Sequence, residues 1–139
     1  MLPRKLGLLL AVLTLWLGGT GTAVAGLSCA AWKVSGTWTV RQSNTGPAVV
    51  FRFRQSGERV TGTARVGPLS NNFYGTLVGT VAKNHLVFVV TWNRRASDGQ
   101  VLKGHYAGTV AARLIQGTTY ALTGVRDVAS WAAVGRAAC

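Results

Sequence analysis

The chain has 139 residues, with 15 lysines and arginines against 3 acids, and 48% of its residues are hydrophobic. Its carboxylates are Glu58, Asp98 and Asp127, which leaves no close pair for glycoside chemistry. His85 and His105 lie twenty residues apart, with no cysteine or acid at metal-ligand spacing, so neither a catalytic nor a structural metal is expected.

The first 25 residues read as a secretory signal peptide. Arg4 and Lys5 form a charged start, Leu6 to Leu17 an apolar run, and Ala23-Val24-Ala25 a small-x-small cleavage site. The run is too short to span a bilayer comfortably, and no later segment reaches that length. The remaining 114 residues, 26–139, make one domain with a formal charge of +10. A secreted or periplasmic protein is expected, with soluble export favoured over a lipoprotein acylated at Cys29. The lipoprotein signal would want an aliphatic residue where Gly26 stands. In an oxidising compartment Cys29 and Cys139, the only cysteines, are expected to form a disulfide across nearly the whole domain.

Eight strands follow from alternation and turn chemistry. The first is expected at Gly36–Gln42, before the Ser43-Asn44-Thr45-Gly46-Pro47 loop. Ala48–Gln55 and Arg59–Val66 come next, joined by Ser56-Gly57-Glu58. Phe73–Val81 is the fourth, and Lys83-Asn84 turns it into Leu86–Asn93. Ser97-Asp98-Gly99 leads to Val101–Val110, then Leu114–Leu122, and Ser130–Gly135 closes the series. Residues Asp127 to Trp131 are allowed at most one helical turn. Glycine-threonine pairs recur through these segments, as in Thr61-Gly62-Thr63, Gly75-Thr76, Gly79-Thr80, Gly108-Thr109 and Gly117-Thr118. Threonine on one face and glycine on the other suits a strongly coiled sheet. Short connections imply antiparallel neighbours, and the expected fold is an all-β, eight-stranded antiparallel up-and-down β-barrel.

Parity along the strands sorts the side chains. Phe88, Val90 and Trp92 share one face; Leu102, Gly104, Tyr106 and Gly108 share another; Thr118, Tyr120 and Leu122 are grouped on a third. An interior lined by Trp38, Phe88, Trp92, Tyr106 and Tyr120 is expected, and a barrel of this size either fills itself or holds one small ligand. Arg52 and Arg54 oppose Phe51 and Phe53. With Arg41 and Arg65 they form a candidate basic stripe outside the barrel, suited to anionic polymers. His105 is expected on the outer face. Val87 and Val89 leave the fifth strand's outer face apolar enough for pairing in a homo-oligomer.

Gly36-Thr37-Trp38, Thr61-Gly62-Thr63, Phe88-Val89-Val90-Thr91-Trp92-Asn93, Gly104-His105-Tyr106, Leu122-Thr123 and Ser130-Trp131-Ala132 occur in that order along the chain. Together they resemble the avidin/streptavidin family, which implies an eight-stranded up-and-down barrel. By that resemblance Trp92 matches a tryptophan that packs on biotin, Trp131 matches one lent by a neighbouring subunit, and Tyr120 replaces a third. Val40 and Ala64 stand where the family places an asparagine and a tyrosine that bind the ureido oxygen. No acid stands near Cys139, where the family's late aspartate falls. A pocket without those partners loses most of its affinity, which argues against high-affinity biotin binding.

The sequence thus points to an exported binding protein without enzymatic activity or cofactor. A small apolar or aromatic ligand would sit in the barrel against Trp92, Tyr120, Tyr106, Leu102, Trp38 and Phe88. Two other readings stand beside it. One is protein binding through 27–34 or Ser43–Pro47, as in a secreted protease inhibitor. The other is polyanion binding through Arg41, Arg52, Arg54 and Arg65.

Overall fold

A computed structural model describes residues 29–67 and 72–139; the expected signal segment, 1–25, lies outside them. Eight strands run in chain order: β1 Gly36–Gln42, β2 Val49–Ser56, β3 Arg59–Val66, β4 Tyr74–Ala82, β5 His85–Arg95, β6 Val101–Val110, β7 Leu114–Ala121 and β8 Val128–Val134. Each pairs antiparallel with the next, and β8 pairs with β1, so the sheet closes into a barrel without a free edge. The anticipated architecture is therefore present. The stretch allowed a helical turn at Asp127–Trp131 belongs largely to β8, and no helix occurs among the described residues. None of the described residues forms a helix long and apolar enough to cross a membrane.

Alternation places the core inside. Val49, Phe51 and Phe53 on β2 are buried, while Arg52 and Arg54 between them are exposed. Phe88, Val90 and Trp92 on β5 point inward in the same way. The glycines lie at inward positions: Gly62 pairs with Phe53 and Leu77, and Gly79 with Val60 and Phe88. Threonines 61, 63, 76 and 80 occupy the intervening outward positions.

Two side-chain placements differ from the expected ones. On β7 the inward residues are Ile115, Gly117, Thr119 and Ala121, which puts Tyr120 outside. On β8 Trp131 is 3% exposed and inserts into its own barrel, not toward a neighbouring subunit. Its ring meets Phe51, Phe88 and Tyr106 edge-on at 6.4, 6.0 and 5.7 Å. Phe88 and Tyr106 stack at 4.9 Å, and Phe53 closes the cluster against Phe51 and Phe88. Each such pair contributes about 0.5–1.5 kcal/mol beyond area burial. The middle of the lumen is solid.

The chain alternates direction, so the β2–β3, β4–β5 and β6–β7 turns share one end, here called the base. Segments 29–34 and 137–139 stopper it. The indole N–H of Trp38 donates to the Val34 carbonyl at 2.8 Å, and both residues are wholly buried. Val34 N–H donates to Gln55 Oε1 at 2.8 Å, while Gln55 Nε2 donates to the Trp32 carbonyl at 3.1 Å. Lys33 bridges to Ala138, and a Cys29–Cys139 disulfide joins the two ends with its Cα atoms 5.4 Å apart. On a chain-entropy account a link across so long a loop contributes about 4–5 kcal/mol.

Gly108 lets Trp131 enter. A Cβ at this position would lie 2.8 Å from Trp131 Cζ2 and 3.0 Å from the Gln116 carbonyl oxygen. Replacing Gly108 by alanine should displace the indole and destabilise the barrel by about 1–3 kcal/mol, the usual range for overpacking. Thermal and urea unfolding measure this; an unchanged midpoint would mean that the indole is not held there.

Candidate functional site

The opposite end of the barrel is open. Loops 43–48, 96–100 and 122–127 surround it together with Phe73, and between them lies a cleft of about 460 Å³. Its walls come from inward positions at the strand ends: Val49 of β2, Val66 of β3, Trp92 of β5, and Leu102 and Gly104 of β6, with Phe73 leading into β4. Phe73 and Trp92 pack with centroids 5.1 Å apart. Asn93 fixes this corner: its Oδ1 accepts from Tyr74 N–H at 3.0 Å and its Nδ2 donates to the Asn72 carbonyl at 2.7 Å. Gly104 keeps the wall thin. A side chain there would begin 3.2 Å from the Tyr106 ring and 3.8 Å from Trp92 Nε1.

The floor is polar but neutral. Tyr106 turns one side of its ring to the aromatic cluster and its hydroxyl to Gln42, donating to Oε1 at 2.6 Å. Thr119, 5% exposed on β7, also hydrogen-bonds the phenol. Gln42 in turn donates from Nε2 to Asn44 Oδ1 at 3.3 Å. Burial pushes the Tyr106 phenol up to about 12, with the bonds to Thr119 and Gln42 acting in the opposite direction. The phenol therefore stays protonated across ordinary pH. The floor offers hydroxyl and amide groups with no charge and no nucleophile–base pair. This set can bind and orient a ligand. Among the described residues no three histidines, cysteines or acids converge as a metal site.

The expected site residues divide. Trp92, Tyr106 and Leu102 meet in the cleft. Trp38 lies at the stoppered base and Phe88 inside the aromatic cluster, so neither lines it. Tyr120 reaches the cleft margin only from outside. Its ring stacks on His105 at 4.6 Å and carries the Arg126 guanidinium 4.4 Å from its centroid. His105 is on the outer face, as parity requires, and its Nδ1 is buried without a partner. Val49, Val66, Phe73, Thr119 and Gln42 complete the cleft. Val49 and Val66 already had inward parity, and Gln42 continues the Trp38–Val40 face. Phe73 and Thr119 carried no comparable signal.

Arg52, Arg54 and Arg65 are exposed on the outer faces of β2 and β3, and Arg41 on β1 beside them. Arg52 pairs across to Thr37 and Thr63, Arg54 to Thr61 and Arg65 to Val50, on adjacent outer faces. Val87 and Val89 are half-buried on the outside, with Val78 exposed opposite Val89. Of the segments considered for inserting into a partner, 27–34 begins outside the described residues and ends in the base stopper. Ser43–Pro47 is exposed at the mouth.

A phenol raised from 10.0 to about 12 on folding stabilises the barrel fully below pH 10, and that contribution declines as pH rises through 12. Tyr106→Phe should remove this part of the alkaline loss. Urea midpoints of both proteins across that window check it, and identical slopes would contradict the burial argument. Set against protein-family models, curated proteins and solved structures, the chain has no significant match in any of the three.

Proposed function

We propose that the protein is an exported, non-enzymatic binding protein that takes a small apolar or aromatic ligand into the open end of its barrel. The observation that carries this reading is the cleft itself. Trp92, Phe73, Leu102, Val49 and Val66 form apolar walls above a neutral Gln42–Tyr106–Thr119 floor. Such a lining favours a ligand with a flat apolar body and one uncharged polar group at its inner end. The disulfide fits a secreted or periplasmic location, where thiols are oxidised. The likeness to avidin and streptavidin enters the proposal as a scaffold only. Val40 and Ala64, at the positions of two expected biotin contacts, are buried apolar residues.

A panel of apolar fluorophores tests the reading. At least one should bind, quench tryptophan emission and lose about ten-fold or more in affinity with Trp92→Ala, since an aromatic wall contributes on the order of 1.5–3 kcal/mol. Absence of any binder, or affinity indifferent to Trp92, would refute it.

A second reading has its own support, the alignment of Arg41, Arg52, Arg54 and Arg65 on adjacent outer faces. Anionic polymers would bind there with strong salt dependence. Retention on heparin should then drop for Arg52→Gln with Arg54→Gln, and by more than for the charge-matched Arg113→Gln with Arg136→Gln at the base. Equal losses would assign the retention to net charge alone.

A further inference from the structure

The cleft's rim differs chemically from its walls. Of the eight large apolar side chains exposed among the described residues, five lie at the mouth end: Tyr74, Val101, Leu122, Val125 and Val128. Val125 is 78% exposed at the tip of loop 122–127. This loop is held rather than free. The Thr123 hydroxyl donates to the Val101 carbonyl at 2.9 Å and accepts from Lys103 N–H at 3.0 Å. Gly124 N–H donates to Asp98 Oδ2 at 3.1 Å. The aliphatic tip is thereby fixed in an outward position, and binding through it incurs little ordering cost.

Cations stand at the same end of the barrel. Arg94, Arg95, Lys103 and Arg126 are exposed on the strand ends and loop there. Arg94 lies over Phe73 at 5.2 Å and Arg126 over Tyr120 at 4.4 Å, so two of the guanidiniums are positioned by ring faces. Both carboxylates at this end are engaged by uncharged groups: Asp98 by Gln100 and Gly124 amides, Asp127 by the Asn44 side chain at 2.7 Å. Neither acid is paired with a cation, and four cations against two carboxylates leave this group with a net charge of +2.

We propose that the mouth docks on a bilayer surface rich in anionic lipids, with Leu122 and Val125 entering the headgroup layer and the cations at this end holding lipid phosphates. Protruding aliphatics that share one end with lysine and arginine suit this interface, where apolar area and charge attraction act together. A second copy of the chain fits poorly, since two such rims would meet with like charge. A soluble polyanion would engage the cations and leave Val125 unused. Docking does not require the cleft to be filled, so it stands or falls separately from ligand binding.

Vesicle co-sedimentation tests this with protein recovered after export, so that the apolar N-terminal run adds no lipid affinity of its own. Binding to phosphatidylglycerol–phosphatidylcholine vesicles and little to phosphatidylcholine alone is expected. Val125→Asp should weaken partitioning about ten-fold or more, and Leu122→Gln by a smaller factor. Arg94→Gln and Arg126→Gln should each cost about five-fold, whereas Arg113→Gln at the base should change nothing. Near-UV circular dichroism checks that each variant is folded. The proposal is overturned by absent binding, by equal binding to neutral vesicles, by Val125→Asp binding like the parent, or by a dimer that Val125→Asp dissolves.

Discussion

Halfway down the lumen the rings of Phe51, Phe53, Phe88, Tyr106 and Trp131 pack against one another, and this contact decides which parts of the barrel are solid. An eight-stranded cylinder has room for about one layer of such rings at any height. Trp131 enters only because Gly108 and Gly117 face each other beneath it and bring two strands close. Its N–H is satisfied by the Thr118 carbonyl at 3.0 Å, so burying the indole leaves no polar atom without a partner. Below the rings, Trp38 and Val34 fill the base. Above them β6 and β7 present the small inward residues Gly104, Thr119 and Ala121, and space opens between the larger walls.

Tyr106 links the two regions. Its ring belongs to the packed layer, while its hydroxyl forms the floor of the cleft with Gln42 and Thr119. The floor is therefore as rigid as the core beneath it, and a ligand would meet a preformed polar surface. Rigidity of this kind favours selection by shape and by one hydrogen-bonding group over adaptable binding.

Strand positions were legible because period-two alternation, glycine-threonine pairs and turn residues all agree over most of this chain. Strands β1, β3 and β6 have the bounds anticipated for them, and the others shift by one or two residues. The interior was harder. On β7, Ile115 and Tyr120 sit on opposite faces, and both are plausible core residues. The larger side chain suggested the wrong parity. Inside the barrel, Ile115 and the Gly108–Gly117 approach win, and Tyr120 gains a stacking partner in His105 outside. Trp131 shares parity with Ala129 and Ala133, both buried, so its own strand did indicate an inward ring. Assigning it to a neighbouring subunit followed the avidin resemblance over that local pattern. The cleft itself depends on where Trp131 ends and Gly104 begins, a three-dimensional fit that no alternation encodes.

Charge separates the inside of the mouth from its rim. The floor carries neutral hydrogen-bonding groups because a charged side chain beside Phe88 and Trp131 would lose its hydration without a counter-ion. The cations stand instead at the strand ends, where water reaches them and ring faces position them. A ligand in the cleft would be selected by shape and polarity. A surface under the rim would be selected by charge and salt. Changes to the arginines would alter the second without moving Tyr106 or Trp92, so the two properties are free to vary independently on one scaffold.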